Sequence, residues 1–294
     1  MADTAGQADI RGIDINRLAK GFAEEMSVLK KFVTVAKTKN REIRWYSKTA
    51  GFLTGPATTG ITASQIPNVA ERSLPFVTGP QWTRNTSYVR KYMVESETIS
   101  EEDIRDSDID ILATNVRDLV RAVANQVDIR IYNVISESLS PSNINTAAAV
   151  GTGWDDTTNG DPVKDILIAK KNIRTFSYNP EGGVLYIHPT EEQMLLTWLI
   201  TTKGSSIPQY SSQKVKDGTV MEILGLNVVV SANATTDYAL VFVRNQAATW
   251  KSFMPMSAVV MKDPGIGRKV RVWEEGECLL TDPKAVHLIT DTTT

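Results

Sequence analysis

The sequence has few of the residues from which catalytic and metal sites are usually built. It contains one cysteine, Cys278, and two histidines, His188 and His287, in 294 residues. A single cysteine excludes an internal disulfide and fits a reducing compartment. No cysteine or histidine spacing suggests a zinc site. Because each histidine lies in or at the end of an apolar strand, we interpret both as structural residues.

The sequence also has no large excess of charge of one sign and no long apolar run. The 32 basic and 34 acidic residues leave a formal net charge of -2, which argues against a basic face built to hold nucleic acid. No apolar run approaches the roughly 20 residues that cross a bilayer. Met1–Gly12 lacks an apolar core, so we expect no signal peptide and no membrane partner.

Familiar site motifs are incomplete. Asp106, Asp108 and Asp110 lack the glycine and the distal glutamate of a calcium loop. Gly151–Gly153 is not followed by the third glycine and the acid of a dinucleotide site. A hydrolase is rejected because no nucleophile has a paired base. We therefore predict no catalytic residue, no cofactor and no metal, and we expect that the protein is not an enzyme.

The clearest positive feature is one long amphipathic helix, predicted from Ser107 to Leu139. Apolar residues recur at intervals of three and four without an interrupting proline or glycine, which is the pattern of a single helix face. These residues are Ile109, Leu112, Val116, Leu119, Val120, Val123, Val127, Ile131, Val134 and Ile135. A shorter, weaker helix is predicted before it, from Ile15 to Lys37. Such a marginal helix needs a docking surface to stay folded.

Between the two helices, an extended arm is predicted. Arg41–Leu53 and Trp82–Ile99 are rich in aromatic and β-branched residues and are predicted as strands. Thr54–Gln81 is rich in glycine and proline, and it is too long for a structureless loop inside a compact domain. We expect a two-stranded ribbon with a broad tip. A ribbon of this kind is barely stable alone in water, so it should lie on another surface.

The charge of this region changes sign along the chain. Residues 41–94 carry seven basic and two acidic residues, whereas residues 95–110 carry eight acidic residues and one basic residue. The acids suit a helix start, where they favour the dipole and bind free N–H groups. A second interpretation, compatible with the first, is that the arm of one subunit lies over the acidic helix start of another. The predicted contact residues are Arg44, Trp45, Lys48, Arg72, Arg84, Glu101, Glu102 and Asp103.

After the long helix, Ser140–Gly160 is predicted as a linker and the chain then alternates helices and strands. Asp161 should cap a helix that has Pro162 in its first turn. Thr190 and Gln193 have the spacing of a capping box. Strands are predicted at Gly183–His188, Leu226–Ser231, Tyr238–Val243, and between Ala258 and Ile289 around the turn signals Asp263-Pro264-Gly265 and Asp282-Pro283.

The order of these parts resembles the major capsid proteins of tailed double-stranded DNA viruses, which share the Hong Kong 97-like fold. The resemblance spans nearly the whole chain. It includes the segment FSYNPEGGVLYIHP at 176–189 and the segment EILGLNVVVS at 222–231. It implies an α+β fold with an N-terminal arm at 1–40 and an extended two-stranded loop at 41–99. It further implies a peripheral domain with a long spine helix at 100–144 and 251–294, and an axial domain at 145–250.

The resemblance implies a head shell protein of a bacteriophage that self-assembles into pentamers and hexamers of an icosahedral capsid around double-stranded DNA. An encapsulin-like nanocompartment shell is the alternative. The implied partners are further copies of the chain, a separate scaffolding protein, a portal and non-specifically contacted DNA, and a decoration protein is left open. The implied location is the virion, after assembly in the host cytoplasm.

Two departures from some relatives carry further expectations. About forty residues precede the predicted arm, so we expect no built-in scaffolding domain and no N-terminal processing. Lys262–Thr294 contains no asparagine, so we do not expect lysine–asparagine crosslinks between subunits.

Overall fold

The structure, a computed structural model, describes residues 19, 28–54, 68–75, 79–106, 111–156, 158–201 and 222–293. Two sheets and a separate two-stranded ribbon organise this part of the chain. In chain order the elements are β1 (Thr34–Lys37), β2 (Glu42–Thr54), β3 (Gly79–Tyr88), β4 (Arg90–Glu95), β5 (Ile99–Ser100), α1 (Glu101–Asp106), α2 (Ile111–Ile135), β6 (Asn145–Ala148), α3 (Pro162–Thr175), β7 (Val184–Ile187), α4 (Pro189–Thr201), β8 (Glu222–Ile223), β9 (Leu226–Val230), β10 (Tyr238–Phe242), β11 (Ala248–Asp263), β12 (Gly267–Leu280) and β13 (Val286–Thr290).

The first sheet has five strands and is built around the long antiparallel hairpin β11–β12. Its order is β1-β11-β12-β4, with β5 also paired to β12. The hairpin turns at Asp263–Gly267, where Gly265 has φ +78°, as the Asp-Pro-Gly signal predicts. Turns with positive φ favour glycine because it has no Cβ. The two strands of this hairpin are the central strands of the sheet.

The N-terminal helix prediction is wrong over its second half. Leu29–Lys31 form a short 3-10 turn, and β1 pairs in parallel with β11 from Thr34↔Thr249 to Lys37↔Ser252. These residues form a strand because they pair with the edge of β11, more than 200 residues later in the chain. Local periodicity cannot predict such a pairing. Of the earlier part, only Ala19 belongs to the described residues, and it is helical and buried.

The two-stranded ribbon is confirmed, since β2 and β3 pair antiparallel from Glu42↔Tyr88 to Lys48↔Trp82. The single strand predicted over Trp82–Ile99 is wrong. The chain leaves the ribbon at Val89, and β4 and β5 pair instead with β12. The edge of β12 competes with the ribbon for these residues. Most of the predicted tip, residues 55–67 and 76–78, lies outside the described residues.

The long helix α2 packs along β12 and joins two hydrophobic clusters. The first half of its apolar face meets the five-stranded sheet, and its second half meets the larger core beneath the other sheet. Asp128 is buried on this helix and accepts hydrogen bonds from the backbone N–H groups of Val28 (2.7 Å) and Leu29 (3.2 Å). The incoming N-terminal segment is thus fastened to the helix by its backbone.

The predicted end of this helix, at Leu139, is wrong. The helix ends at Ile135, and Glu137, Ser138 and Leu139 have φ of 49°, 54° and 61°. The left-handed region is unfavourable for these side chains. The Glu137 carboxylate supports the turn by accepting the N–H groups of Ser142 (2.5 Å) and Asn143 (2.9 Å). The predicted start at Ser107 lies outside the described residues, and α1 is a separate helix before it.

The second sheet has six strands in the order β6-β13-β10-β7-β9-β8. Helices α3 and α4 belong to its core cluster, and every residue of β7 is buried. As predicted, Asp161 caps α3, with its carboxylate accepting the N–H of Lys164 at 3.1 Å. Helix α4 begins one residue before the predicted capping box. There the ring Nδ1 of His188 accepts the N–H of Thr190 at 3.2 Å.

Two parts of the chain join this sheet against expectation. The predicted linker 140–160 contains β6, which pairs in parallel with β13. β13 also pairs with β10, so the end of the segment 251–294 belongs to the six-stranded sheet rather than to the sheet beside α2. β6 becomes a strand because of the neighbour it pairs with, whereas β13 was predicted as a strand but not as a member of this sheet. None of the helices described is long and apolar enough to cross a membrane.

Candidate assembly surface

The ribbon β2–β3 presents two chemically different faces, because alternate residues of a strand point to opposite sides. One face contains Ile43, Trp45 and Ser47, and the other contains Arg44 and Tyr46. The paired register places the remaining ribbon residues on these same two faces. The predicted split of the strand into two faces is confirmed.

The side chains of the inner face have their packing and hydrogen-bond partners within the same chain. Ile43 and Ser47 are buried, and Trp45 packs against the main core. The Trp45 Nε1 donates to Ser87 Oγ at 2.9 Å, and Asn85 Nδ2 donates to Ser47 Oγ at 3.1 Å. This face therefore holds the base of the ribbon on its own subunit.

The outer face carries exposed aromatic and basic side chains. Tyr46, Trp82 and Tyr88 are 55%, 52% and 66% exposed. Arg84 lies opposite Tyr46 in the register, and Arg44 is held by Glu42 of its own strand at 3.0 Å. Large aromatic groups interleaved with arginine are typical of protein interfaces. Nothing in the described single chain covers this face.

The structure separates the predicted basic contact residues into two groups. Lys48 is engaged by its own subunit, since its backbone N–H donates to Thr281 O at 3.1 Å and its ammonium lies 5.9 Å from the Tyr178 ring centroid. Burial raises the pKa of the adjacent Asp282 carboxyl, and the Lys48 charge opposes this rise. Arg72, by contrast, lies in an exposed turn at φ +67°.

The predicted acidic residues lie on the short helix α1. Glu101 Oε1 lies 3.5 Å from Lys262 Nζ at the far end of β11, and Glu102 is exposed. Asp103 belongs to the same helix, but its side chain is not among those described. Within one chain, the structure thus gives Arg44 and Glu101 partners other than each other. The predicted contact between the arm and the acids stays a prediction about two subunits.

Sequence reasoning missed an acidic group on β12. Glu274, Glu275 and Glu277 are 1%, 4% and 2% exposed and are here called the β12 carboxylates. They are paired with cations from four different segments of the chain. The pairs are Lys30–Glu274, Arg41–Glu275, Lys91–Glu275, Arg90–Glu277 and Arg130–Glu277. The signal that could have revealed this group in the sequence is the presence of three glutamates within four residues of a core strand.

The cysteine and the two histidines, which are the side chains most suited to catalysis or metal binding, are buried or cap a helix. Burial raises the pKa of the Cys278 thiol and lowers the pKa of His287 to about 4, so neither is charged near neutral pH. His188 caps α4. In the parts of the chain that the structure covers, no group of three or more acidic, histidine or cysteine side chains could hold a metal ion.

The solved structures that match this chain include a phage capsid and a virus-like particle. The capsid of cyanophage P-SCSP1u matches with a TM-score of 0.66 at 12% identity, over 91% of this chain and 89% of that chain. Mycobacterium phage Che8 matches with a TM-score of 0.63 at 16% identity, over 91% and 92%. A virus-like particle from Pyrococcus furiosus matches with a TM-score of 0.61 at 11% identity, over 94% and 98%. The fold is therefore the Hong Kong 97-like capsid fold.

The family follows from the sequence itself. A family model described as phage capsid protein matches residues 84–288, which is well over half of the chain. The chain belongs to the phage capsid protein family, and its role is that of a major capsid protein. No curated protein matches it.

Proposed function

We propose that the chain assembles into pentamers and hexamers of an icosahedral head that encloses double-stranded DNA, with the outer face of the ribbon as a contact between subunits. The observation that carries the proposal is this outer face. Tyr46, Trp82 and Tyr88 are each more than half exposed on an element that one subunit holds only from the other side. Burying the outer face on a neighbouring subunit would remove this apolar area from water.

The partner surface we propose is the acidic start of the helical region on a neighbouring subunit, around Glu101, Glu102 and Asp103. Arg44, Arg72 and Arg84 supply the opposite charge. An exposed ion pair is worth only about 0–1 kcal/mol, so the aromatic groups provide most of the affinity and the charges select the register. Trp45 on the inner face and the backbone N–H of Lys48 then hold the ribbon to its own subunit.

The domain division, partners and location proposed here follow the family. The elements around α2 would form the peripheral domain, and those around the six-stranded sheet would form the axial domain. A separate scaffolding protein and a portal would take part in assembly. The product would be the virion shell, assembled in the host cytoplasm without catalysis or a cofactor and with only non-specific contact to DNA.

Electron microscopy of the protein, expressed with and without the scaffolding protein of its genome, tests the proposal. We expect closed shells from the wild type. Tyr46→Ser combined with Trp82→Ser should yield soluble, folded subunits that do not assemble, because the apolar contact is lost. The matched control is Tyr46→Phe with Trp82→Phe, which keeps two aromatic rings and should assemble. Shells from the serine variant would contradict the role of this face.

The encapsulin-like alternative predicts different particle contents, so it is tested by a separate measurement. The family match favours the phage shell. Particles purified from infected or induced cells should contain DNA. Particles that instead contain a single cargo enzyme would support the nanocompartment.

A further inference from the structure

We propose that Glu275 and Glu277 are positioning residues that set the direction of the ribbon relative to the body of the subunit. The inference deepens the proposed function, because the ribbon is the element assigned there to subunit contact. It concerns the base of the ribbon, where both strands join the body of the subunit beside β12.

An arginine beside each ribbon strand forms an ion pair with one of these carboxylates. Arg41 directly precedes β2, and its Nη2 lies 3.2 Å from Glu275 Oε2. Arg90 begins β4 just after β3 ends, and its Nε lies 3.1 Å from Glu277 Oε2. Glu275 and Glu277 are two residues apart on one strand, so their side chains lie on the same face, about 7 Å apart along the strand. Together with the packing of Ile43 and Trp45 on the inner face, the two ion pairs limit how far the ribbon base can turn on the body.

The two ion pairs are asymmetric in burial. The Glu275 and Glu277 side chains are 5% and 2% exposed, whereas those of Arg41 and Arg90 are 67% and 57% exposed. The anions are thus fixed inside the body, and the cations at the ribbon base come to them from the surface. A buried carboxylate that loses a cation is strongly destabilised. The free energy of the subunit therefore depends on where the ribbon base lies.

The body supplies its own counter-charge to Glu277 from the opposite side. Arg130 of helix α2 donates to Glu277 Oε1 through Nη2 at 2.6 Å and Nε at 2.9 Å. The Glu277 Oε2, in contrast, receives no hydrogen bond among the described residues. Arg90 therefore attracts it by charge without good hydrogen-bond alignment. One oxygen of Glu277 is therefore hydrogen-bonded to Arg130 of helix α2, and the other faces Arg90 at the base of the ribbon.

The strand that bears these acids cannot easily shift. Gly276 lies between them, and a Cβ there would come within 2.4 Å of the Trp250 ring. Trp250 is fully buried, so the backbone of β12 rests directly on a large fixed side chain. The carboxylates are consequently a rigid reference for the ribbon rather than a part that moves with it.

The test measures ribbon direction in unassembled full-length subunits. Spin labels are placed at Thr83→Cys on the ribbon and Asp118→Cys on helix α2, since both native side chains are exposed. Cys278 is buried and should not be labelled. We expect one narrow distance in the wild-type background. Glu275→Gln and Arg41→Gln should each broaden it, because either change breaks the ion pair beside β2.

Glu95→Gln is the matched control. Glu95 pairs with Arg271 at 2.6 Å on the same sheet but does not hold the ribbon, so the distance should stay narrow. An unchanged distance in both Glu275→Gln and Arg41→Gln would overturn the proposal. If Glu275→Gln does not fold, Arg41→Gln decides alone, because it changes an exposed side chain. Failure of the wild type to form shells would contradict the proposed function and would leave this readout unaffected.

Discussion

The six-stranded sheet and the ribbon are both β-structure, but they reach stability by different routes. Every residue of β7 is buried, and β10 beside it and β13 on the far side of β10 are nearly so. The ribbon buries only one of its faces, and its outer aromatic side chains remain exposed. A sheet covered on both faces supports itself, whereas a two-stranded ribbon needs another surface. The comparison indicates which part of the subunit serves folding and which part serves association.

Removing core volume from the six-stranded sheet should have the largest effect on stability. Phe242 is fully buried on β10 between Val184 and Val286. Phe242→Ala should lower the free energy of unfolding by about 3–5 kcal/mol because it leaves a cavity. Chemical denaturation measures this loss. On the ribbon, Tyr46→Ala should change it by less than about 0.5 kcal/mol. Equal losses at the two positions would show that the ribbon is part of the folding core.

The place where the two regions meet should show an intermediate effect. Arg130→Met removes the hydrogen-bonded partner of the buried Glu277, and we expect a loss of about 3 kcal/mol. Arg271→Met removes the nearer of the two basic partners of Glu95, which is about a third exposed, and should cost no more than about 1 kcal/mol. Denaturation of both variants at neutral pH compares them. A loss for Arg130→Met no larger than that for Arg271→Met would contradict the importance of the β12 carboxylates.

Acid should weaken the six-stranded sheet through His287. This side chain is fully buried on β13, neither ring nitrogen has a described partner, and burial lowers its pKa to about 4. The unfolded chain, with an ordinary histidine pKa of about 6.5, binds the proton more tightly, so stability falls as the pH drops from about 6.5 towards 4. We expect this residue to contribute about 2–3 kcal/mol of that loss.

The pH dependence can be assigned by substitution. His287→Leu should flatten the stability curve between pH 6.5 and pH 4 relative to the wild type. If His287→Leu loses as much stability in acid as the wild type, other groups cause the acid response.

The smallest expected effect concerns a helix end. Asp161→Ala removes the carboxylate that accepts the N–H of Lys164 at the start of α3, and should cost about 1 kcal/mol. Asp161→Ser keeps an acceptor and should cost less. Thermal unfolding of the two variants distinguishes the cap from a general effect of the negative charge, since Ser carries none.

Much of the fold was predictable from local patterns. The apolar spacing of α2 and the alternation of β2 are visible in the sequence because a buried face imposes its period on the residues that form it. The charge change between the arm and residues 95–110 was also visible, although its meaning for two subunits stays a prediction. The β12 carboxylates were missed because a core strand is expected to be apolar, and only the converging cations explain three acids there.

The residues of α2, α3, α4 and β2 specify these elements locally, because their form depends on neighbours within a few residues. Tertiary contacts, in contrast, make residues 34–37 a strand, pair β6 with β13, and draw the chain after Val89 from the ribbon to β12. Each of these depends on a partner edge distant in the chain. A strand has no internal hydrogen bonds to specify it, so its partner, rather than its own composition, decides whether it exists.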